Sequence, residues 1–200
     1  MKKGITKKQV LNVTLNLIKD KEDIKNVNLR EIARMLGCAH TNLYNYFNSF
    51  DDLLWEAHVA LLKKASAKIR EKMSQTNDEE LKLQYFFFEF TDFYLNNKGW
   101  FRLAWVEIIG GQRPRNNELA TIQTVDAFVD SLITIWKNLY KVETQREKMK
   151  YALHNVHCYI HGEISIFIAK RALIPEENEF KEYVTKEAVK MMKLLLNSKE

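Results

Sequence analysis

Proline and glycine are scarce in this chain, two and six in 200 residues. Folds built from many short strands need frequent turns of that kind. Long Leu-, Lys- and Glu-rich stretches with so few breaks predict an all-α fold instead. Cysteine is equally rare. Cys38 and Cys158 stand far apart, which argues against a disulfide scaffold and predicts free thiols in a cytoplasmic protein. No window approaches eighteen consecutive apolar residues, so no membrane span or membrane partner is expected. The start, MKKGITKKQVLNVTLNLIKD, interrupts its apolar positions with Asn, Thr and Lys and lacks a small-residue cleavage site, unlike a secretory signal. Arrangements for catalysis are missing too. No Ser/His/Asp set or carboxylate pair stands out, and the glycines of GGQRPRNN (110–117) follow no strand and precede no Gly-Lys-Ser/Thr. Neither an enzyme nor a bound cofactor is expected.

A local absence is more informative. From Met35 to Phe50 the chain has no Asp, Glu, Lys or Arg, although 28% of its residues are charged. Around this silent window lies a basic region. Residues 1–50 carry nine Lys/Arg against four acids, while the remaining 150 residues balance. A basic head on a neutral body predicts a polyanionic partner for the head alone.

The head's periodicity gives this charge a shape. Val10, Val13 and Leu17 alongside Leu11, Thr14 and Ile18 form one stripe of a helix from Thr6 to about Lys19. Asn28 is placed to cap a second helix, in which Leu29, Ile32, Ala33 and Leu36 share a face and Arg30 and Arg34 lie outside it. Gly37 suits a left-handed turn. A third helix is expected from about Ala39 to Phe47, turned inward on Leu43 and Phe47. Two short helices across a glycine turn make a helix-turn-helix, whose second member enters the major groove. His40, Thr41, Asn42 and Asn45 project away from Leu43 and Phe47 and are expected to read base edges. Tyr44 and Tyr46 flank them for phosphate oxygens, and Lys7, Lys8, Arg30 and Arg34 supply salt-dependent attraction.

The stretch NLREIARMLGCAHTNLYNYFNSFDDLLWEA resembles the DNA-binding end of TetR-type transcriptional regulators. The shared features are an Ile-Ala pair in the second helix, a Gly turn, Leu-Tyr, an aromatic residue and Phe, then an acidic start to the next helix. The likeness covers about Thr6 to Ala57. It implies a homodimeric, ligand-responsive repressor of a double-stranded DNA operator, with Asn28, Arg30 and the third helix at the DNA. Ala39 replaces the usual Ser/Thr cap, Thr41 a frequent small residue, and Phe50 a usual phosphate-contacting Lys.

Beyond the head (1–47), a body (48–200) is expected to bind an effector and to dimerise. Ser49 and Asp52 open a helix that continues without a breaker to about Met73, about 35 Å long. Asn77 is expected to cap the next, whose run holds ten aromatic rings between Tyr85 and Trp105. That density predicts a cavity for a small, largely apolar or aromatic effector, lined by Tyr85, Phe86, Phe88, Phe93, Trp100 and Trp105. Phe128 and His157 are added to it, and Glu89, with Asp92 and Glu107, would suit a cationic ligand. Helices are expected at about 118–140, 145–171 (Thr144 and Glu147 as capping box) and 179–197. The rows Val156, Ile160, Ile164 and Phe180, Val184, Ala188, Met191, Leu195 are expected to pair with a second copy in a four-helix bundle. His154, His157, His161 and Cys158 have metal-ligand side chains, but a complete ligand set is not evident, so no metal is expected.

Overall fold

The computed structural model describes residues 4–197, all helix and connecting loop with no strand among them. Lys2 and Lys3 of the basic head lie outside the described residues. Two compact units are formed. The first takes the described residues through Lys64 together with Asn97–Thr121; the second takes Ala65–Asn96 and Ile122 onward. The boundary expected at residue 47 therefore falls inside the first unit.

Helix α1 (Lys7–Lys21) opens on a reciprocal capping box between Thr6 and Gln9, which satisfies two backbone donors that a helix start otherwise leaves open. Val10, Leu15 and Ile18 are completely buried. Helix α2 (Leu29–Met35) starts at Asn28, whose Oδ1 accepts from the Glu31 amide at 3.0 Å. It ends at Gly37, φ +66°, where Cys38 N–H donates to Ala33 and Gly37 N–H to Arg34. These two bonds are the Schellman closure, and the left-handed φ is why glycine stands there.

The expected third helix is a tighter 3-10 helix, His40–Asn45. Ala39 provides no side-chain cap, and Thr and Asn compete for backbone partners; short i→i+3 bonds such as Asn42 N–H to Ala39 and Tyr46 N–H to Leu43 form its turns, and one i→i+4 bond, Phe47 N–H to Leu43, closes its end. Its inward face is as expected: Leu43 is 1% and Phe47 3% exposed. Helix α3 follows (Phe50–Met73). Ser49 Oγ accepts from Asp52 N–H, but the Asp52 carboxylate turns to the Asn48 amide instead of closing the box.

The aromatic run is not one helix. Helix α4 (Glu79–Leu95) is capped by Asp78, one residue after the expected Asn77, through bonds from Glu80 and Leu81. It stops before Asn96 and Asn97, poor helix formers followed by Gly99. A short α5 (Lys98–Phe101) and a π turn (Arg102–Val106) then run within the first unit. There Trp100 Nε1–H donates to the Leu15 carbonyl of α1 at 2.7 Å.

In the second unit, α7 (Arg146–Ile168) and α8 (Glu177–Asn197) pack on each other and on α4, with Val156, Ile160 and Ile164 of α7 and Phe180, Val184 and Ala188 of α8 buried. The box expected from Thr144 is absent: α7 starts after Gln145 without a side-chain cap. Lys181, 5% exposed, is held between Asp92 (2.8 Å) and Glu177 (2.5 Å), so its buried charge is paired. Helix α6 (Arg115–Tyr140) is, by length and composition only, long and apolar enough to cross a membrane, with a mean hydropathy of 1.2. Its stripe of Phe128, Val129, Leu132, Ile135 and Trp136 is used as core.

Three histidines are held neutral. Burial, with the Arg113 cation, lowers His58 to about 4. Burial, then neighbouring histidines, lowers His157 to about 3 and His161 to about 4. The unfolded chain binds these protons first. Stability from the three is therefore complete above pH ~6.5 and is lost as pH falls towards the folded values, by up to about 1.4 kcal/mol per pH unit for each group. Urea unfolding is expected to show a clearly lower midpoint at pH 5.0 than at pH 7.5. Equal midpoints would mean these rings are not buried neutral.

Candidate nucleic-acid interface and effector cavity

His40, Thr41, Asn42, Tyr44 and Asn45 are all exposed, while Leu43 and Phe47 anchor the segment from beneath. The fold thus displays one uncharged edge able to donate and accept hydrogen bonds. Lys8 on α1 and Arg30 on α2 are exposed in the same unit, and Arg34 lies 3.9 Å from Glu31. Two expected phosphate ligands are committed elsewhere. Tyr46 donates its hydroxyl to the Ile5 carbonyl. Lys7 pairs with Glu56 at 2.9 Å and lies 5.3 Å from the Phe47 ring centre. Both act as fasteners between α1, the reader segment and α3, a role that nothing local in the sequence signals. Asn28 spends its carbonyl oxygen on the α2 cap, leaving its NH2 for other partners.

The same unit contains a cavity of about 290 Å³. Trp55, Leu62, Leu103 and Trp105 form apolar walls, with His58 and Arg113 among them. Asn117, fully buried, organises the polar side. Its amide donates to the Trp55 carbonyl at 3.1 Å and meets His58 Nδ1 at 2.9 Å. Because that NH2 can only donate, Nδ1 accepts and the ring proton sits on Nε2. Arg113 Nε donates to Asn117 Oδ1 (2.8 Å) and Nη2 to Thr121 Oγ1 (2.6 Å), which fixes the guanidinium. Trp55 Nε1–H reaches the Gly110 carbonyl at 3.0 Å. An apolar slot with one held guanidinium suits a small apolar molecule bearing an anionic or accepting group. Glu107, expected to serve a cationic ligand, lines the same cavity with Lys25 at 4.0 Å.

Trp105 and Glu107 are the expected effector residues that line this cavity, while His58, Arg113 and the neighbouring Asn117 are not among the expected ones. These sit on separate stretches, and only folding brings them together. Trp100 belongs to this unit as well, yet its indole is spent on α1.

In the second unit the other expected effector residues divide. Phe86 and Phe93 are core, and Phe128 packs edge-on to Phe86 at 5.1 Å. His157 stacks on Phe90 at 4.7 Å, and its Nε2 is buried without a hydrogen-bond partner. Tyr85 and Phe88 instead line a groove of about 840 Å³. Glu89 is half-buried, its pKa raised by desolvation and then by Asp92. Among the described residues no group of three or more His, Cys, Asp or Glu is placed to hold a metal; Cys158 Sγ and His154 Nε2 are 3.7 Å apart.

The expected dimer rows need correction. Val156, Ile160, Ile164, Phe180, Val184 and Ala188 are at most 1% exposed within the single chain, so no second copy can touch them. Their greasy spacing reports burial within one chain, where α4, α7 and α8 pack together. Met191 and Leu195 are half-buried. The outward faces carry Tyr151, Cys158 and Ile166 on α7 and Tyr183 and Leu194 on α8.

No family model and no curated protein matches this chain. Solved structures do. A protein of unknown function from Rhodococcus sp. RHA1 is 14% identical with a TM-score of 0.77, covering 98% of both chains. The TetR family transcriptional regulator PfmR from Thermus thermophilus is 20% identical, TM-score 0.61, over 96% of this chain and 98% of its own. The transcriptional regulator FadR from Bacillus subtilis, in complex with stearoyl-CoA, is 12% identical, TM-score 0.63, over 98% and 100%.

Proposed function

We propose, for a chain with the fold of TetR-family transcriptional regulators, that it is a homodimeric, ligand-responsive DNA-binding regulator that represses transcription from a palindromic operator in the cytoplasm. The observation that carries this reading is the exposed, uncharged edge of His40, Thr41, Asn42 and Asn45 on a buried Leu43/Phe47 anchor. Such an edge discriminates bases while Lys8 and Arg30 grip phosphates. Dimerisation uses the outward faces of α7 and α8. Two heads about 34–36 Å apart would meet successive major grooves on one side of the duplex. Selection of bound duplexes from a random pool tests the reading. An enriched palindrome held at least ~1,000-fold over random duplex at matched salt supports it; no enriched sequence would refute it.

The effector is assigned to the cavity of Trp55, His58 and Arg113. Trp55 and His58 lie one to two turns into α3, directly after the reader segment, so an occupant that shifts the Arg102–Arg113 stretch acts on the helix that carries the reader. The stearoyl-CoA held by FadR, an acyl chain on a polyanionic carrier, supports an effector with an apolar part and an anionic part for this fold. If the free protein favours the DNA-competent arrangement, a ligand preferring another releases DNA.

Two outcomes follow. Arg113→Ala should leave operator binding within about threefold of the parent but weaken the effector's release of DNA by ~10-fold or more, as expected for loss of a charge-assisted bond. Lys8→Ala should weaken all duplexes alike and reduce the slope of log K against log salt by roughly one unit. Gel-shift titrations at several salt concentrations measure both.

A further inference from the structure

The groove between α4 and α8 lies wholly in the second unit and has no part in the DNA or effector scheme above; it shares only its edge residue Leu194 with the outward face of α8. Its floor is apolar, made by Tyr85, Phe88 and Val189, with Leu194, 65% exposed, at one edge. Its rim is cationic: Lys72, Lys186, Lys190 and Lys193 outnumber Glu80 and Glu182. Lys193 is engaged by Glu80 at 2.8 Å, Lys190 by Glu187 at 3.2 Å, and Lys72 lies 4.8 Å from the Tyr85 ring centre. Lys186 has no acidic partner among the described residues.

A second feature lies in the wall of the same groove. Thr185 lines the groove, is 7% exposed, and its hydroxyl is buried without a hydrogen-bond partner. Leaving such a group unmade is unfavourable, and a helical threonine ordinarily satisfies itself on the preceding turn. The oxygen itself is shielded from the open groove, so a partner there completes it only once the side chain turns outward. The volume, about 840 Å³, is that of a site holding a whole small molecule.

We infer that this groove is a second ligand site, for a free single-chain amphiphile with an anionic head. The apolar chain lies over Tyr85, Phe88 and Val189. The head meets Lys186 and Lys190, with the Thr185 hydroxyl as an additional donor. A cationic rim around an apolar floor selects that charge pattern against neutral and cationic amphiphiles. The site does not depend on DNA binding or on the Trp55–His58–Arg113 cavity.

Calorimetric titration of the full chain with dodecanoate, below micelle formation, tests the inference. Dodecanoate should bind at least ten times more tightly than dodecyltrimethylammonium and than octanoate. The exposed pair Lys186→Glu with Lys190→Glu should weaken dodecanoate tenfold or more without changing the melting temperature or the dimer mass. Thr185→Val, nearly isosteric, should weaken it about threefold while thermal stability holds or rises, an outcome that a merely structural hydroxyl would not give. Arg113→Ala should leave it unchanged. The inference is overturned by equal affinity for the cationic amphiphile, or by unchanged binding in the lysine pair variant. It is also overturned if Arg113→Ala abolishes binding, which moves the ligand to the other cavity. Binding to anionic vesicles but not to monomeric dodecanoate would identify a membrane surface, and loss of dimer in the lysine pair variant would identify a second copy; either excludes the proposed ligand.

Discussion

Gly99→Ala is expected to lower the melting temperature by roughly 10 °C, the largest stability effect of any single methyl group in the chain. A Cβ at residue 99 would lie 1.9 Å from the Ile18 carbonyl oxygen, 2.8 Å from its carbon and 3.1 Å from Glu22 Cα. All three are backbone atoms of α1 or its end, which no rotamer change can move. The helix must back away, stretching the Trp100–Leu15 hydrogen bond next door. Overpacking of this kind costs about 3 kcal/mol, and each kcal/mol is worth about 2–4 °C at this chain length. Gly162→Ala is the control of opposite sign. Residue 162 lies within α7, is exposed in the single chain, and an added methyl meets nothing of that chain within 4 Å, so alanine should add about 0.5–1 kcal/mol to the fold of each chain. Thermal melts of both variants by circular dichroism decide the matter; equal shifts would mean that the close approach of residue 99 to α1 is wrong.

The largest functional effect is expected from replacing His40, Thr41, Asn42 and Asn45 together by alanine. All four are exposed, so the fold should persist, with a melting temperature within a few degrees of the parent. Each lost base contact is worth about 1–3 kcal/mol of discrimination. Preference for the selected palindrome over random duplex should therefore drop by ~1,000-fold or more, while binding to random duplex, held by phosphate contacts, changes little. Competition gel shifts at fixed salt give the ratio. A variant that kept its preference would show that bases are read by other residues, and the proposed interface would have to be abandoned.

Periodicity carried much of this architecture. The α2 stripe, the Gly37 turn and the inward Leu43 and Phe47 follow from residue spacing, because local sterics and amphipathic burial decide them. Fold class followed from the scarcity of breakers. What spacing could not convey is which surface an apolar row meets. The Val156 and Phe180 rows read equally well as a seam within one chain or between two, and the structure shows them within one. Aromatic density likewise could not separate Phe86, in the core, from Phe88, in a groove, because both belong to one unbroken aromatic run on α4. The His58–Asn117–Arg113 network and the fastening of Tyr46 to Ile5 join residues remote in sequence. No local pattern encodes them.

The clasp of Trp100 on α1 constrains how this head can be moved to another body. Recombination that cuts after residue 47 would transplant a helical triplet stripped of the indole and the glycine groove that hold its first member. Moving residues 4–47 onto another body must therefore carry the distant 97–121 stretch along as cargo, whereas point changes at residues 40–45 leave the clasp untouched.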